Sequence, residues 1–362
     1  MRHPRLISRW LLAAAAALLP CAALALEEQS LLTADGTLHV VRAGTAVDLG
    51  VAAAASPDNV VIEWTTRAQD GTLSTSIIPG TDSDFGKSGL RLAFDDQTAT
   101  LVLIWTESIS PFSQIQVATM RNGAWTNTGL LPNTGLSGAY NPQMVVTHQR
   151  VSWLDEHDNT VTATASILNI IWWEDAQYGQ ARLATLFLDE TNFDPSAVTI
   201  YDLPTLLGGG GDTPYRGIPT GAYLYPSVQP DGLSGGLIAS FADLHDQKQK
   251  VVRVGYPSDR GKPSETGNLK WQRRHIPIVG IASQGDIARM TPMLAYNASL
   301  DAAVGTSIGA GYRPTMYWRD GNSLKYVRLE GSDWTPIRAV AIDETVTYEK
   351  ALSLVTGMGS RN

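Results

Sequence analysis

Sulfur chemistry is almost closed to this chain. Its 362 residues include one cysteine, Cys21, which lies in an N-terminal segment expected to be removed. The mature chain therefore has neither a disulfide nor a Cys-ligated zinc or iron–sulfur site. Positive charge is scarce too. The 27 Lys and Arg against 35 Asp and Glu give a formal charge of −8, which becomes −11 when Arg2, Arg5 and Arg9 leave with residues 1–25. No dense basic stripe exists to displace phosphate counterions, so nucleic acid and anionic lipid are disfavoured as partners. Beyond residue 25 no apolar run is long enough for a bilayer, and no transmembrane segment is expected in the mature chain. A 3.6-residue apolar stripe is missing as well, which speaks against long amphipathic helices. The alanine run Ala52–Ala55 is short and abuts Ser56-Pro57, as a loop or strand end does.

The first 25 residues have the form of a secretory signal peptide. Arg2, Arg5 and Arg9 precede an apolar run from Trp10 to Ala25, interrupted by Pro20, and Ala23-Leu24-Ala25 stands before Glu27-Glu28. The run is shorter than the roughly 20 residues a spanning helix needs. Pro20 occupies the place where a lipoprotein signal wants a small residue, so Cys21 is not read as a lipidation site. The expected location is exported, periplasmic or extracellular. The roughly 337 residues that remain, 26–362, are ample for one large domain, and a 43% hydrophobic composition rich in turn residues suits many short strands.

Strand signals fill that domain. Val60-Val61-Ile62-Glu63-Trp64, Thr100 to Trp105, Ile115 to Thr119, Ala181 to Phe187, Lys250 to Val254 and Leu324 to Leu329 are β-branched or aromatic runs bounded by Gly, Pro, Asn and Ser clusters. One unit recurs among them. A loop ending in Gly or Pro leads to a short apolar strand, at Gly89, Pro142, Pro226 and Pro292. A second strand then closes on an aromatic and an acid: Trp105-Thr106-Glu107, Trp172-Trp173-Glu174-Asp175, Phe241-Ala242-Asp243 and Trp318-Arg319-Asp320. Self-similarity at a spacing of roughly 40 to 80 residues, built of strands alone, predicts an all-β fold and a β-propeller of four-stranded blades.

Second strands at Trp64, Trp105, Trp172, Phe241 and Trp318 give five blades. Lys350-Ala351-Leu352-Ser353-Leu354-Val355 would then supply the innermost strand of the blade begun near Val60 and close the ring, leaving no open sheet edge. Six blades is the alternative. In that version Leu38–Val41 and Ala46–Leu49 are extra strands, Asp48 to Val51 opens the Trp64 blade, and Lys350 belongs to a separate sixth.

The turn Gly331-Ser332-Asp333-Trp334 resembles the Gly-x-x-Trp turn of the secreted sialidase-like propellers, and the blade pattern extends that resemblance over most of the mature chain. It implies a propeller fold. The complete Ser-x-Asp-x-Gly-x-x-Trp box is absent, because Val327 and Leu329 stand at its Ser and Asp positions. No catalytic residue is carried over from that family.

In a propeller the loops into first strands and the turns after second strands share one face. That rule gathers Glu107, Tyr140, Trp173, Glu174, Asp175, Tyr223, Tyr225, Asp243 and Asp320 as ligand-binding candidates. Aromatic faces stack on sugar rings and carboxylates accept hydroxyl hydrogen bonds, so a glycan or an exported protein is the expected partner. The same residues are also ordinary turn acids and inter-blade aromatics. Two readings follow: a binder without catalysis, expected as a monomer, or a glycoside hydrolase with two rim carboxylates from neighbouring blades about 5–10 Å apart. First strands carry few acids, only Asp95 and Asp96 near the end of one, which favours the binder. A sialidase-type cluster would draw on Arg91, Arg216, Arg289 and Arg313 with Tyr348-Glu349, and only Arg91 lies on a first strand.

Other motifs are weaker. Gly232-Leu233-Ser234-Gly235-Gly236 and Gly305-Thr306-Ser307-Ile308-Gly309 match a nucleophile-elbow pattern in a β-rich chain with no helix to carry it. No cofactor is expected. Calcium is the one candidate, at Asp155-Glu156-His157-Asp158-Asn159, a loop lacking the glycine and terminal Glu of an EF-hand; a solvated insertion is the favoured reading of those residues. His148 and His157 lack zinc-helix spacing, and His39, His245 and His275 are scattered. The Gly-rich stretch Leu206–Tyr223 is expected to arch over the loop face, as a lid or a tolerated insertion.

Overall fold

The computed structural model describes residues 27–109, 112–131, 138–155, 157–174, 180–188, 200–202, 223–231, 236–243, 248–259, 270–272, 279–282, 293–295, 315–320, 322–330 and 333–342. They are almost all strand. The chain runs through consecutive antiparallel meanders. The first holds β1 (Glu27–Leu32), β2 (Leu38–Thr45), β3 (Val60–Arg67) and β4 (Leu73–Ile77). The second is β5 (Lys87–Asp95), β6 (Thr100–Ile109), β7 (Phe112–Arg121) and β8 (Ala124–Leu130). The third is β9 (Ala139–Leu154), β10 (Thr160–Glu174), β11 (Gln180–Phe187) and β12 (Ile200–Asp202). The fourth comprises β13 (Tyr223–Asp231), β14 (Gly236–Asp243) and β15 (Lys248–Asp259), with β16 (Lys270–Gln272) and β17 (Val279–Ala282) both paired to β15. The fifth comprises β18 (Met293–Ala295), β19 (Thr315–Asp320) and β20 (Ser323–Glu330), with β21 (Asp333–Trp334) and β22 (Arg338–Ala341) on β20. A single bridge between Ser152 and Asp259 joins the third meander to the fourth.

Alternation explains how these sheets lie on one another. Strand β6 is buried on both faces, so it reads as a continuous apolar run. Leu103 and Trp105 pack with Val41, Ala43, Ile62 and Ile78 of the first sheet, whereas Val102 and Ile104 pack with Leu168, Ile170 and Trp172 of the third. Trp105 and Trp172 thus each face the sheet before their own. First strands follow one another in space as well: β1 lies against β5, β5 against β9, β9 against β13 and β13 against β18.

The anchors Gly89, Pro142 and Pro226 sit at β-bulges, and Pro292 lies outside the described residues. Register shifts leave Gly89 and Leu90 together opposite Trp105, Asn141 and Pro142 opposite Trp172, and Tyr225 and Pro226 opposite Phe241. The extra residue bends the strand where the aromatic must fit. The leading residue is left-handed in two of them, Gly89 at φ 66° and Asn141 at φ 50°, a conformation that glycine and asparagine tolerate best. A bulge also frees backbone donors. Glu27 accepts those of Gly89 and Leu90 at 2.7 and 2.8 Å, while Pro142 and Pro226 have no N–H to satisfy.

The N-terminal sheet differs from expectation. Trp64 lies on its third strand, β3, and β1 supplies the first, so the Val60 sheet has four strands among the described residues. The polar run Glu27-Glu28-Gln29-Ser30 hid β1, which alternates half-buried and exposed positions. Ala46–Leu49 is a helical turn rather than a strand. The Thr45 hydroxyl accepts from Asp48 N, and Gly50 ends the turn at φ 70°. Residues 343–362, including the closing strand expected at Lys350–Val355, lie outside the described residues.

A Cβ on Gly89 would stand 2.9 Å from Pro142 Cδ. Gly89→Ala is therefore expected to lose about 3 kcal/mol, left-handed strain plus overpacking. Gly123→Ala, at φ 76° with nothing within 4 Å, should lose only about 1–2 kcal/mol. Urea denaturation of the two variants checks the difference; equal losses would dissociate Gly89 from inter-sheet packing.

Candidate functional site

Register brings the start of each first strand beside the end of its second. Lys87 is opposite Glu107, Ala139 opposite Glu174, Tyr140 opposite Trp173, and Tyr223 opposite Asp243. Tyr225 sits within the β13 bulge, and Asp320 ends β19 opposite Ser323. Because Glu27 reaches Gly89 and Gly89 meets Pro142, these ends lie on the same side of the first three sheets. Asp175 is outside the described residues.

The two glutamates are not displayed on a rim. Glu107 is 4% exposed and Glu174 2%. Lys87 Nζ lies 3.3 Å from Glu107 Oε1, and Gln116 Nε2 donates to Oε2 at 2.6 Å. Lys87 is itself enclosed, donating to Val60 O at 3.0 Å, Ser83 Oγ at 2.8 Å and Phe85 O at 3.0 Å. Burial pushes its ammonium pKa down, and attraction to Glu107 works against that. The ammonium thereby ties β5 to the first sheet.

Glu174 is held within its own sheet. It accepts from Arg182 Nε at 3.1 Å and from the Trp172 indole N–H at 3.3 Å. Gln116 and Arg182 hold the same place in the repeat, opposite Trp105 and Trp172 on the third strand. From there a long side chain reaches diagonally to the acid two residues beyond the Trp. Sequence reading missed Lys87, Gln116 and Arg182. Their signal was a polar side chain recurring at a fixed offset within otherwise apolar strands.

Tyr140 and Trp173 form a different kind of pair. Both are half-buried, and their ring centroids stand 4.9 Å apart with planes at 33°. Gly138 makes room: a Cβ there would fall 2.5 Å from the Tyr140 hydroxyl. The pair is an aromatic step at the sheet end, rigid because it is a cross-strand pair set by the β9 bulge.

Other candidates resolve locally. The Asp155 loop is the tip of the β9–β10 hairpin, and Asp155 Oδ1 accepts from His157 N and Asn159 N at 2.8 Å each. Hydrogen bonds from Asn159 and His157 hold its pKa below the usual carboxylate value. Arg91 lies on β5, donates to Leu90 O at 2.6 Å and stands 4.0 Å from Glu27. His39 is buried, stacked on Trp64 at 6.0 Å, and burial lowers its pKa against the pull of Asp35. Arg216, Arg289, Arg313, Tyr348-Glu349, His245, His275, residues 206–222 and the Gly305–Gly309 motif lie outside the described residues, as does Gly232-Leu233-Ser234-Gly235.

The sequence matches no family model and no curated protein. Among solved structures, the chain is similar to an α-L-arabinofuranosidase from Lactobacillus brevis, with 10% identity and a TM-score of 0.35 over 88% of this chain and 91% of that one. It is similar to a glucose dehydrogenase at 13% identity and a TM-score of 0.38, over 80% of this chain and 86% of that one. An exo-inulinase from Aspergillus awamori is similar at 8% identity and a TM-score of 0.27, over 88% and 78% of the respective chains. Among the described residues no helix is long and apolar enough to cross a membrane.

Glu107→Gln leaves the Lys87 ammonium buried opposite a neutral group and is expected to lose about 3–5 kcal/mol. Combining it with Lys87→Met should restore much of that loss, as urea denaturation of the four-member cycle would show. A Glu107→Gln loss below about 1 kcal/mol would contradict the tie.

Proposed function

We propose that this chain is an exported β-propeller that binds a glycan, without chemistry, at the sheet ends marked by Tyr140 and Trp173. The serial packing of first strands and the face-to-face sheets support the propeller. The arginine-bearing, apolar N-terminus ending in Ala-Leu-Ala supports export. Five blades fit the number of meanders among the described residues.

The observation that carries the reading is the half-exposed aromatic step beside two carboxylates already committed to other groups. A sugar ring stacks on such a step through its C–H face, and its hydroxyls take hydrogen bonds from neighbouring polar groups. General acid–base work needs a carboxyl free to exchange a proton with substrate. Glu107 and Glu174 instead sit in cation and amide cages, which favours binding over hydrolysis. Asp243 and Asp320, at the corresponding ends of their strands, are the acids a hydrolase reading would use.

A glycan array probed with the mature chain is expected to give hits that fall at least tenfold in Trp173→Ala and Tyr140→Ala, with unchanged folding by circular dichroism. An array without hits would leave an exported protein as the partner. Turnover of fluorogenic glycosides by the parent, lost in Asp243→Asn and Asp320→Asn, would replace the binder with the hydrolase.

A further inference from the structure

The first sheet ends in an open strand. β4 (Leu73–Ile77) hydrogen-bonds to β3 along one side, and among the described residues no strand pairs with its other side. Four of its five residues are exposed, Leu73 at 66%. Outer strands elsewhere in the chain are guarded against further pairing. β8 carries a bulge between its pairs with Val117 and Ala118, β12 has three residues, and β22 begins on Arg338. β4 pairs with β3 without a register shift and holds neither a charge nor a proline. An edge of that kind is a template for another strand.

The sequence of β4 indicates which strand it fits. Leu-Ser-Thr-Ser-Ile is nearly the same in both directions, so an antiparallel second copy turned about Thr75 sets Leu73 against Ile77, Ser74 against Ser76 and Thr75 against itself. Side chains alternate between the faces of a strand, and this register keeps Leu, Thr and Ile on one face and both serines on the other. Moving the axis to Ser74 or Ser76 leaves fewer residues paired. Charge is complementary in the same register. Arg67 stands opposite Leu73 on β3, and Glu63, which also accepts from Arg42 Nε at 3.0 Å, stands opposite Ile77. Each Leu–Ile contact is thereby flanked by an arginine of one copy and a glutamate of the other. Two chains of net charge −8 repel one another, and an uncharged edge with Arg at one end and Glu at the other offsets that repulsion locally.

We infer that two copies of this chain pair edge to edge through β4, antiparallel about a two-fold axis at Thr75, so that their first sheets become one continuous sheet. The contact is isologous, the same patch serving both copies. A five-residue strand pair is a small interface, so the association is weak and concentration-dependent. The monomer expected from sequence persists in dilute solution. This interface is independent of the proposed glycan face.

Cys21 is the one cysteine and lies in the segment expected to be removed, so a single introduced thiol reports the register. Under mild oxidation, Thr75→Cys is expected to give at least about fivefold more disulfide-linked dimer than Leu73→Cys, Ile77→Cys or the exposed control Ala124→Cys. Leu73→Cys mixed with Ile77→Cys should link as readily as Thr75→Cys. Sedimentation of the parent should show a mass rising toward that of a dimer between about 1 μM and about 1 mM. Thr75→Lys sets two ammonium groups face to face and should stay monomeric over that range. Thr75 is exposed and its side chain bonds only the Thr65 hydroxyl, at 3.0 Å, so both Thr75 variants keep the monomer fold. A parent that stays monomeric, a dimer that persists in Thr75→Lys, or equal linking of all four single-cysteine variants would each overturn the interface.

Discussion

The bulge opposite the second-strand aromatic is the constraint from which the rest of the arrangement follows. A Trp in the middle of a sheet must face one neighbour, and Trp105 and Trp172 face the sheet before their own, Trp105 among Val41, Ile62 and Ile78. The strand beside it has to bend to let the ring pass. Two residues against one supply the bend, and they carry Gly89 to within Cβ distance of Pro142 on the next first strand. One local irregularity thus sets the fit within a sheet and the approach between sheets.

Polar ties then fix those approaches at both ends of the first strands. At one end Glu27 caps the bulge donors of β5 and Lys87 reaches back to Val60. At the other, Asp95 meets His148, and Gln97 Nε2 donates to Thr164 O at 3.0 Å. Apolar packing alone lets sheets slide, because dispersion contacts have little directionality. Buried charge pairs are directional and intolerant of displacement, so a few of them give the sheet stack its register. The second sheet shows what this entails. With Glu107 held by Lys87 and Gln116, the Trp105 indole N–H is left without a hydrogen bond, while the equivalent Trp172 donates to Glu174.

Strand content and the repeat were legible because β6, β7, β10 and β11 are apolar enough to be read without tertiary knowledge. The anchors at Gly89, Pro142 and Pro226 were visible as well, although their meaning as bulges was not, since a register shift shows only when the partner strand is known. Strand β1 escaped notice because its half-buried polar residues are stabilised by β2 and by β5. The candidate site was legible in position and misread in character. Aromatic-x-acid motifs were found at the sheet ends, but the cations beside Glu107 and Glu174 come from other strands, and nothing local in the sequence links Glu107 to Lys87. Asp95 and His148, 53 residues apart, were noticed separately for the same reason.

The repeat keeps a polar partner at a fixed register position on its third strand. Lys250 lies opposite Phe241 and Lys325 opposite Trp318, the places that Arg182 and Gln116 hold in earlier sheets. A cation or amide thus recurs opposite the second-strand aromatic, and in the second and third sheets Gln116 and Arg182 reach from that position to Glu107 and Glu174. Glu107 and Glu174, paired with Lys87 and Arg182, therefore add no free negative charge to these ends. On the proposed glycan-binding reading, discrimination at these ends would fall to shape and to the Tyr140–Trp173 surface.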